Sequence, residues 1–301
     1  MAQRIRLPLG LLFACACLSS PVAAQARCAL AHETPTALAQ WKASGFAMAD
    51  AADRNRRAYA LVDCLGDADP RLRDGIAFEA LSTWMRGKQL DAAALRSLQR
   101  KLLGQLAGAD AEGYRKPFAA LVLSEVARTD RVQAWMTADE RARMVAAATA
   151  YLQSVRDYRG YVDGEGWRHG VAHGADWALQ LALNKALPPS QLMPLLAAVG
   201  AQVMPADGHA YAFGEATRLA RPVAYAAARG DLEQAALDAW LSGLASTLGP
   251  LPGGDRQAAW WTRRANLENF LQALGYMVDG DPSPPLIALA ASVRKTMREL
   301  P

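Results

Sequence analysis

Aromatic residues are scarce in this chain, at 7% of 301 residues, and there are only four histidines and four cysteines. Few aromatics beside abundant alanine argue against sheet and for helix. No alternating run of β-branched residues and no Asn-Gly hairpin signal is legible. Charge of one sign is also missing, since 33 basic residues face 29 acidic ones. Such a balance carries no electrostatic footprint for nucleic acid, so no nucleic-acid partner is expected. Beyond residue 18 no apolar run is long enough to cross a bilayer, so no transmembrane segment is expected. The chain also lacks a Gly-x-Ser-x-Gly elbow, a phosphate loop, a dinucleotide fingerprint and a Cys-x-x-Cys pair. What is present, 52% hydrophobic and 21% charged residues, is globular composition with enough length for a substantial core.

The first residues read as a secretory signal. Arg4 and Arg6 precede an apolar stretch from Leu7 to Leu18, and Ala24-Gln25-Ala26 supplies small residues for cleavage. Cleavage is expected after Ala26, with Ala24 as the alternative; Leu12-Phe13-Ala14-Cys15 is a weaker lipoprotein-like box that would anchor Cys15. A soluble periplasmic or secreted protein follows, of formal charge +2 once Arg4 and Arg6 are removed. Cys15 and Cys17 leave with residues 1–26, so only Cys28 and Cys64 remain, and an oxidising compartment favours a bridge between them.

Helix punctuation fills the rest. Thr34-Pro35 and Asp69-Pro70 open helices, Gly87 closes the second, and Asp91 caps the run from Ala92 to Leu106. Thr137-x-x-Glu140 is a capping box before Arg141 to Val155. Pro188-Pro189-Ser190 breaks one helix and starts another, Gly230 and Gly249 are stops, and Gly249 to Gly254 is a surface loop. About a dozen helices in antiparallel pairs predict an all-α domain over residues 27–301, built as a HEAT-like α-solenoid or a compact α-α superhelix.

Residues 157–177 do not read as packing. A glycine-rich polar loop runs into a helix that Asp163 is placed to cap. At ~100° per residue Trp167, Val171, Ala175, Ala178 and Ala182 share a core-facing side. His169, His173, Asp176, Gln180 and Asn184 share the other, where a solvated face would carry Lys, Arg and Glu. Histidines at i and i+4 suit one divalent ion such as zinc, with Asp176 as third ligand or as a partner to His173. Gly170 stands where the zincin motif has its glutamate, so zincin chemistry is not indicated.

Glu215 and Arg218, with Arg263 and Asn266, are the expected neighbours of this stripe, with His209 as a loop ligand. Tyr161, Arg159 and Trp167 would border it. Trp260-Trp261 reads as core. Three functions follow: a groove binding a small polar ligand or a peptide; a divalent-metal hydrolase on His169, His173 and Asp176, with Glu165 or Glu215 as proton acceptor; or an interaction module using the stripe as an interface.

The chain resembles the bacterial family of uncharacterised proteins called domain of unknown function 2785. The resemblance is carried by Asp69-Pro-Arg-Leu-Arg-Asp74 through Glu79, Tyr114 to Leu123, Arg159 through Gly166-Trp167-Arg-His169-Gly-Val-Ala-His173-Gly-Ala-Asp176, Gly214-Glu215-Ala-Thr-Arg218 and Arg263-Arg-Ala-Asn266. It spans about residues 55–275. Lys116-Pro117 stands where an Arg-Ser-like pair is expected. The family is similar to helical-repeat proteins, which implies an all-α fold and brings no activity or ligand.

Overall fold

A computed structural model describes residues 28–254 and 257–301; the expected signal over residues 1–26 lies outside them. The helices begin where their caps predict. Thr34 Oγ1 accepts from Ala37 N ahead of α1 (Pro35–Ala43), and Asp50 caps α2 (Ala51–Leu61), which runs into a 3-10 turn at Val62–Gly66. Asp69 caps α3 (Pro70–Leu72), which widens into a π-helical stretch, Arg73–Phe78, before α4 (Glu79–Arg86) ends at Gly87. Asp91 caps α5 (Ala92–Ala107), and α6 (Arg115–Val132) follows. Both arms of the Thr137/Glu140 capping box are made at α7 (Ala138–Ser154).

Beyond α7 come β1 (Tyr161–Val162), β2 (Gly166–Trp167) and α8 (Gly170–Ala182). Next are a 3-10 turn (Pro189–Gln191) with α9 (Leu192–Gly200), then α10 (Glu215–Ala228) and α11 (Gln234–Leu248). The last two are α12 (Gln257–Val278) and α13 (Pro284–Arg298).

The protein is all-α, and its helices form two layers. In one layer α4, α6, α8, α10 and α12 each pack on the next. In the other, α2 packs on α5, and α7, α9, α11 and α13 follow in succession. Sequence neighbours α5/α6, α7/α8, α9/α10 and α11/α12 bridge the layers, as a solenoid of helix pairs requires. Each helix buries a stripe between layers, so one apolar cluster extends from Cys28 to Val293. No helix among the described residues is long and apolar enough to cross a membrane.

The one sheet among the described residues is a hairpin pairing Tyr161 with Trp167 and Val162 with Gly166. The alternation rule missed it because two-residue strands carry no period. Its position shifts the reading of the next helix: α8 starts at Gly170, with His169 rather than Asp163 at the cap position.

Cys28 and Cys64 form a disulfide that closes a loop of sequence separation 36 and ties the N-terminal arm to the 3-10 turn after α2. Both cysteines are buried. In the chain-entropy account a loop of this length is worth about 4 kcal/mol. Cys64→Ala is therefore expected to lower the urea midpoint of the oxidised protein by that equivalent. Adding reductant should lower the wild type to the same value and leave the variant unchanged.

Candidate functional site

The layer of α4, α6, α8, α10 and α12 holds a groove of about 640 Å³ between α4 and its π-helical lead, α6, α8 and α10. Three aliphatic and aromatic patches form its walls: Phe78 and Phe118 with Leu121, Leu179, and the edge pair Trp167 and Phe213. The α8 stripe forms its polar floor, with His169, His173, Asp176 and Gln180 all facing it. Asn184, the last member of the stripe, is buried instead against Asp130, Nδ2 to Oδ2 2.8 Å.

Trp167 does not join the core face of α8, because the helix begins only after it. Val171, Ala175, Ala178 and Ala182 are buried as expected. Trp167 sits on β2, 37% exposed, stacked on the His169 ring at 4.8 Å and 22°, and edge-on to Phe213 at 5.8 Å. Gly160 makes this arrangement fit, since a Cβ there would lie 2.1 Å from the Phe213 ring. Gly174 has a plainer role. A Cβ at that position would meet Leu152 Cδ2 at 2.7 Å, so this glycine permits the close approach of α7 and α8.

His169 holds a left-handed backbone, φ 54° and ψ 37°, an uncommon conformation for a residue with a Cβ. Two backbone bonds fix it: His169 N donates to Arg159 O and its carbonyl accepts from His173 N, both at 3.0 Å. Its Nε2 lies 3.3 Å from Glu215 Oε1, short of good hydrogen-bond alignment. Glu215 is 2% exposed, and its Oε2 accepts from Phe213 N at 2.9 Å. Burial pushes its carboxyl up, but His169 and the backbone N–H groups of Glu215 and Phe213 outweigh burial and hold it below the usual range.

His173 is fixed differently. Nδ1 lies 3.1 Å from the Pro117 carbonyl, which can only accept, so Nδ1 carries the proton and donates it. Nε2 is then a lone-pair acceptor with no hydrogen-bond partner among the described residues. Burial, then the His169 and Arg218 charges, push the His173 pKa well below its ordinary value, so the ring is neutral. Its edge meets Phe118 at 5.3 Å.

Asp176 is bound by Arg218 Nη1. Burial raises its carboxyl pKa, and the Arg218 and Arg221 charges offset that only in part. Asp176 is committed to Arg218 rather than left open as the third expected metal ligand. Among the described residues no group of three His, Cys, Asp or Glu side chains is placed to hold a metal ion.

The outlying candidates occupy other places. His209 stacks on Tyr158 at 5.6 Å, on the far side of the loop before α10, and lines no part of the groove. Asn266 reaches that loop from α12, accepting from Tyr211 N at 3.1 Å and donating to His209 O at 2.7 Å. It therefore steadies the segment leading to Phe213 and Glu215 without reaching the groove. Arg263 donates to Thr247 O at 3.1 Å, away from the groove.

Glu165 accepts from Arg168 Nη1 at 2.7 Å and Tyr114 Oη at 3.2 Å, which hold its carboxyl below the usual range. As a proton acceptor it faces the wrong partners. Arg159 is paired with Asp157, and Tyr161 packs edge-on against Trp167 outside the groove. Trp260 is core, as expected, whereas Trp261 is 51% exposed.

Sequence reasoning missed the members contributed by distant helices: Asp74, Phe78, Arg86, Phe118, Glu125 and Arg221. Arg86 and Glu125 pair across α4 and α6, with Arg86 Nε to Oε2 at 3.0 Å. Asp74 Oδ1 accepts from Arg73 Nε at 2.6 Å. Arg221 has no ion pair or side-chain hydrogen bond among the described residues.

The model described as Protein of unknown function (DUF2785) matches residues 102–276, and the chain belongs to that family. That span holds α6, α8 and α10 and so most of the groove. No curated protein and no solved structure matches.

Proposed function

We propose that this is an exported binding protein whose groove between α4, α6, α8 and α10 takes a small polar ligand or a peptide that donates a hydrogen bond to His173. The observation that carries the reading is the state of His173. Its Nδ1–H is spent on the Pro117 carbonyl and its ring is neutral, so Nε2 offers one directed acceptor in a groove walled by Phe118, Trp167 and Phe213. Nε2 faces the groove without a protein partner among the described residues, so a ligand hydroxyl or amide N–H can donate to it. Paired charges on either side, Asp176 with Arg218 and Glu125 with Arg86, give such a ligand polar walls without a surplus negative field.

The test is a ligand-observed NMR screen with hydroxylated small molecules and capped dipeptides, followed by calorimetry on the hits. His173→Phe keeps the ring volume and removes the acceptor. It is expected to weaken each hit about tenfold, the worth of one buried hydrogen bond. Because the pKa of His173 lies well below its ordinary value, wild-type affinity should stay level as pH falls from about 7.5 to about 6, where a free histidine would already be charging. Hits that bind His173→Phe as tightly as wild type, or a screen without hits, would sink the reading.

A further inference from the structure

Arg86, paired with Glu125, forms part of the groove wall. Arg86 also lines a second cavity of about 350 Å³, formed by the end of α4, the start of α5 and the end of α6. Leu90, Leu95, Val132 and Trp135 give it an apolar wall, and Lys88 and Arg128 stand at its edge. Val132 is 47% exposed.

The charges of the two cavities do not cancel. Every carboxylate lining them is already engaged: Asp74 by Arg73, Glu125 by Arg86, Asp176 by Arg218, and Asp91 by Ala94 N and the Asn55 amide. Lys88, Arg128 and Arg221 make no ion pair or side-chain hydrogen bond among the described residues; Asp91 keeps its charge against neutral donors, so the surplus is two positive charges. Arg128 also depresses the pKa of its neighbour Arg131, after burial the main influence on that group. From Phe213 past His173 and Arg86 to Trp135 the two cavities thus offer apolar walls together with the unpaired charges of Arg221, Arg128 and Lys88.

Resting on the binding role proposed above, we infer that the ligand is an extended acidic peptide lying across both cavities. Its backbone N–H meets His173 Nε2, its carboxylates meet Arg221, Arg128 and Lys88, and its apolar side chains occupy the walls between them. A peptide fits this path because it presents acidic and apolar side chains in alternation along one strand. A polyanionic sugar chain brings the charge without the apolar groups.

The test uses three fluorescein-labelled, N-acetylated, C-amidated probes in anisotropy titrations: Glu-Phe, the hexapeptide (Glu-Phe)₃ and its neutral counterpart (Gln-Phe)₃. The acidic hexapeptide is expected to bind at least about tenfold more tightly than either other probe, by linkage of two subsites. Its affinity should fall with added salt, as exposed charge pairs are screened. The double variant Lys88→Glu/Arg128→Glu should weaken the hexapeptide about tenfold or more and leave the dipeptide unchanged, while Lys88→Gln/Arg128→Gln gives a smaller loss in the same direction. A dipeptide lost in His173→Phe, with a hexapeptide no tighter, overturns the extended path and leaves the His173 site standing. Equal binding of the acidic and neutral hexapeptides, or tighter binding of a sulfated oligosaccharide, overturns the acidic peptide as occupant. No binding of any probe in a protein whose small-molecule hits still compete at His173 does the same.

Discussion

Asp130→Ala is expected to lower the unfolding free energy by about 3–5 kcal/mol, the range found when one partner of a buried ion pair is removed. Asp130 is 2% exposed, near the end of α6. Its Oδ1 accepts from Trp135 N at 2.9 Å and Met136 N at 2.7 Å, turning the chain out of the helix. Its Oδ2 accepts from Arg141 Nε on α7 at 2.7 Å and from Asn184 Nδ2 after α8 at 2.8 Å. One carboxylate therefore holds three helices, and alanine would strand Arg141 and two backbone donors.

Burial raises the Asp130 pKa, but Arg141, the Met136 and Trp135 N–H groups and Asn184 together outweigh it and bring it below the ordinary value. A carboxyl depressed in the folded state contributes stability that is fully present above its unfolded pKa, about 3.9. That contribution is lost as pH falls through the lower folded value. Urea titrations should show the gap between wild type and Asp130→Asn constant near neutrality and narrowing below about pH 4. A gap independent of pH would mean that the carboxylate charge is not what these donors hold.

Arg73→Met is expected to cost about 3–5 kcal/mol as well, and to weaken ligand binding in the groove. Arg73 is completely buried at the start of the π-helical stretch. Its guanidinium donates to Asp74 Oδ1, to Asp67 O at 2.9 Å and to Glu165 O at 2.8 Å. It lies over the Tyr114 ring at 4.0 Å and the Phe118 ring at 5.0 Å. The Arg168 guanidinium also stacks on Tyr114, at 4.2 Å. Methionine replaces the aliphatic stem and none of the donors, so two carbonyls and a half-buried carboxylate lose their partner together. Arg73→Lys should recover only part of the loss, because an ammonium cannot fork to three acceptors in one plane. Chemical denaturation measures the first effect, and titration with the hits of the groove screen measures the second.

Much of this fold was legible because caps are local. Thr34, Asp69, Asp91 and Thr137 satisfy N–H groups within three residues, so their pattern survives in the linear chain. The polar stripe of α8 was legible for the same reason, since one helix supplies it whole. Trp167 was misplaced because helical phase was carried back through a hairpin too short to announce itself. Asp130 and Arg73 gave no signal at all: an aspartate late in a helix and an arginine after Asp69-Pro70 look like ordinary surface residues until other helices close over them. Arg86, Glu125 and Arg221 entered the groove in the same way, through stacking of helices more than thirty residues apart in sequence. Asp176 was legible as a groove residue but not as the partner of Arg218, since that pairing depends on how α8 and α10 face each other.

The bond from Arg73 to the Glu165 carbonyl spans 92 residues and skips a step in the stack, joining the chain before α4 to the hairpin before α8. A solenoid whose repeats touch only their neighbours stretches like a spring and can fray from either end. A strut from one coil to a later one removes that compliance. The portion from α3 to α8 should then respond to force or denaturant as a single block, while α11 to α13, which carry no such tie among the described residues, yield first. Hydrogen exchange would display this directly, as one shared opening rate for the amides of α4, α6 and α8 and faster, graded rates toward the C-terminal helices.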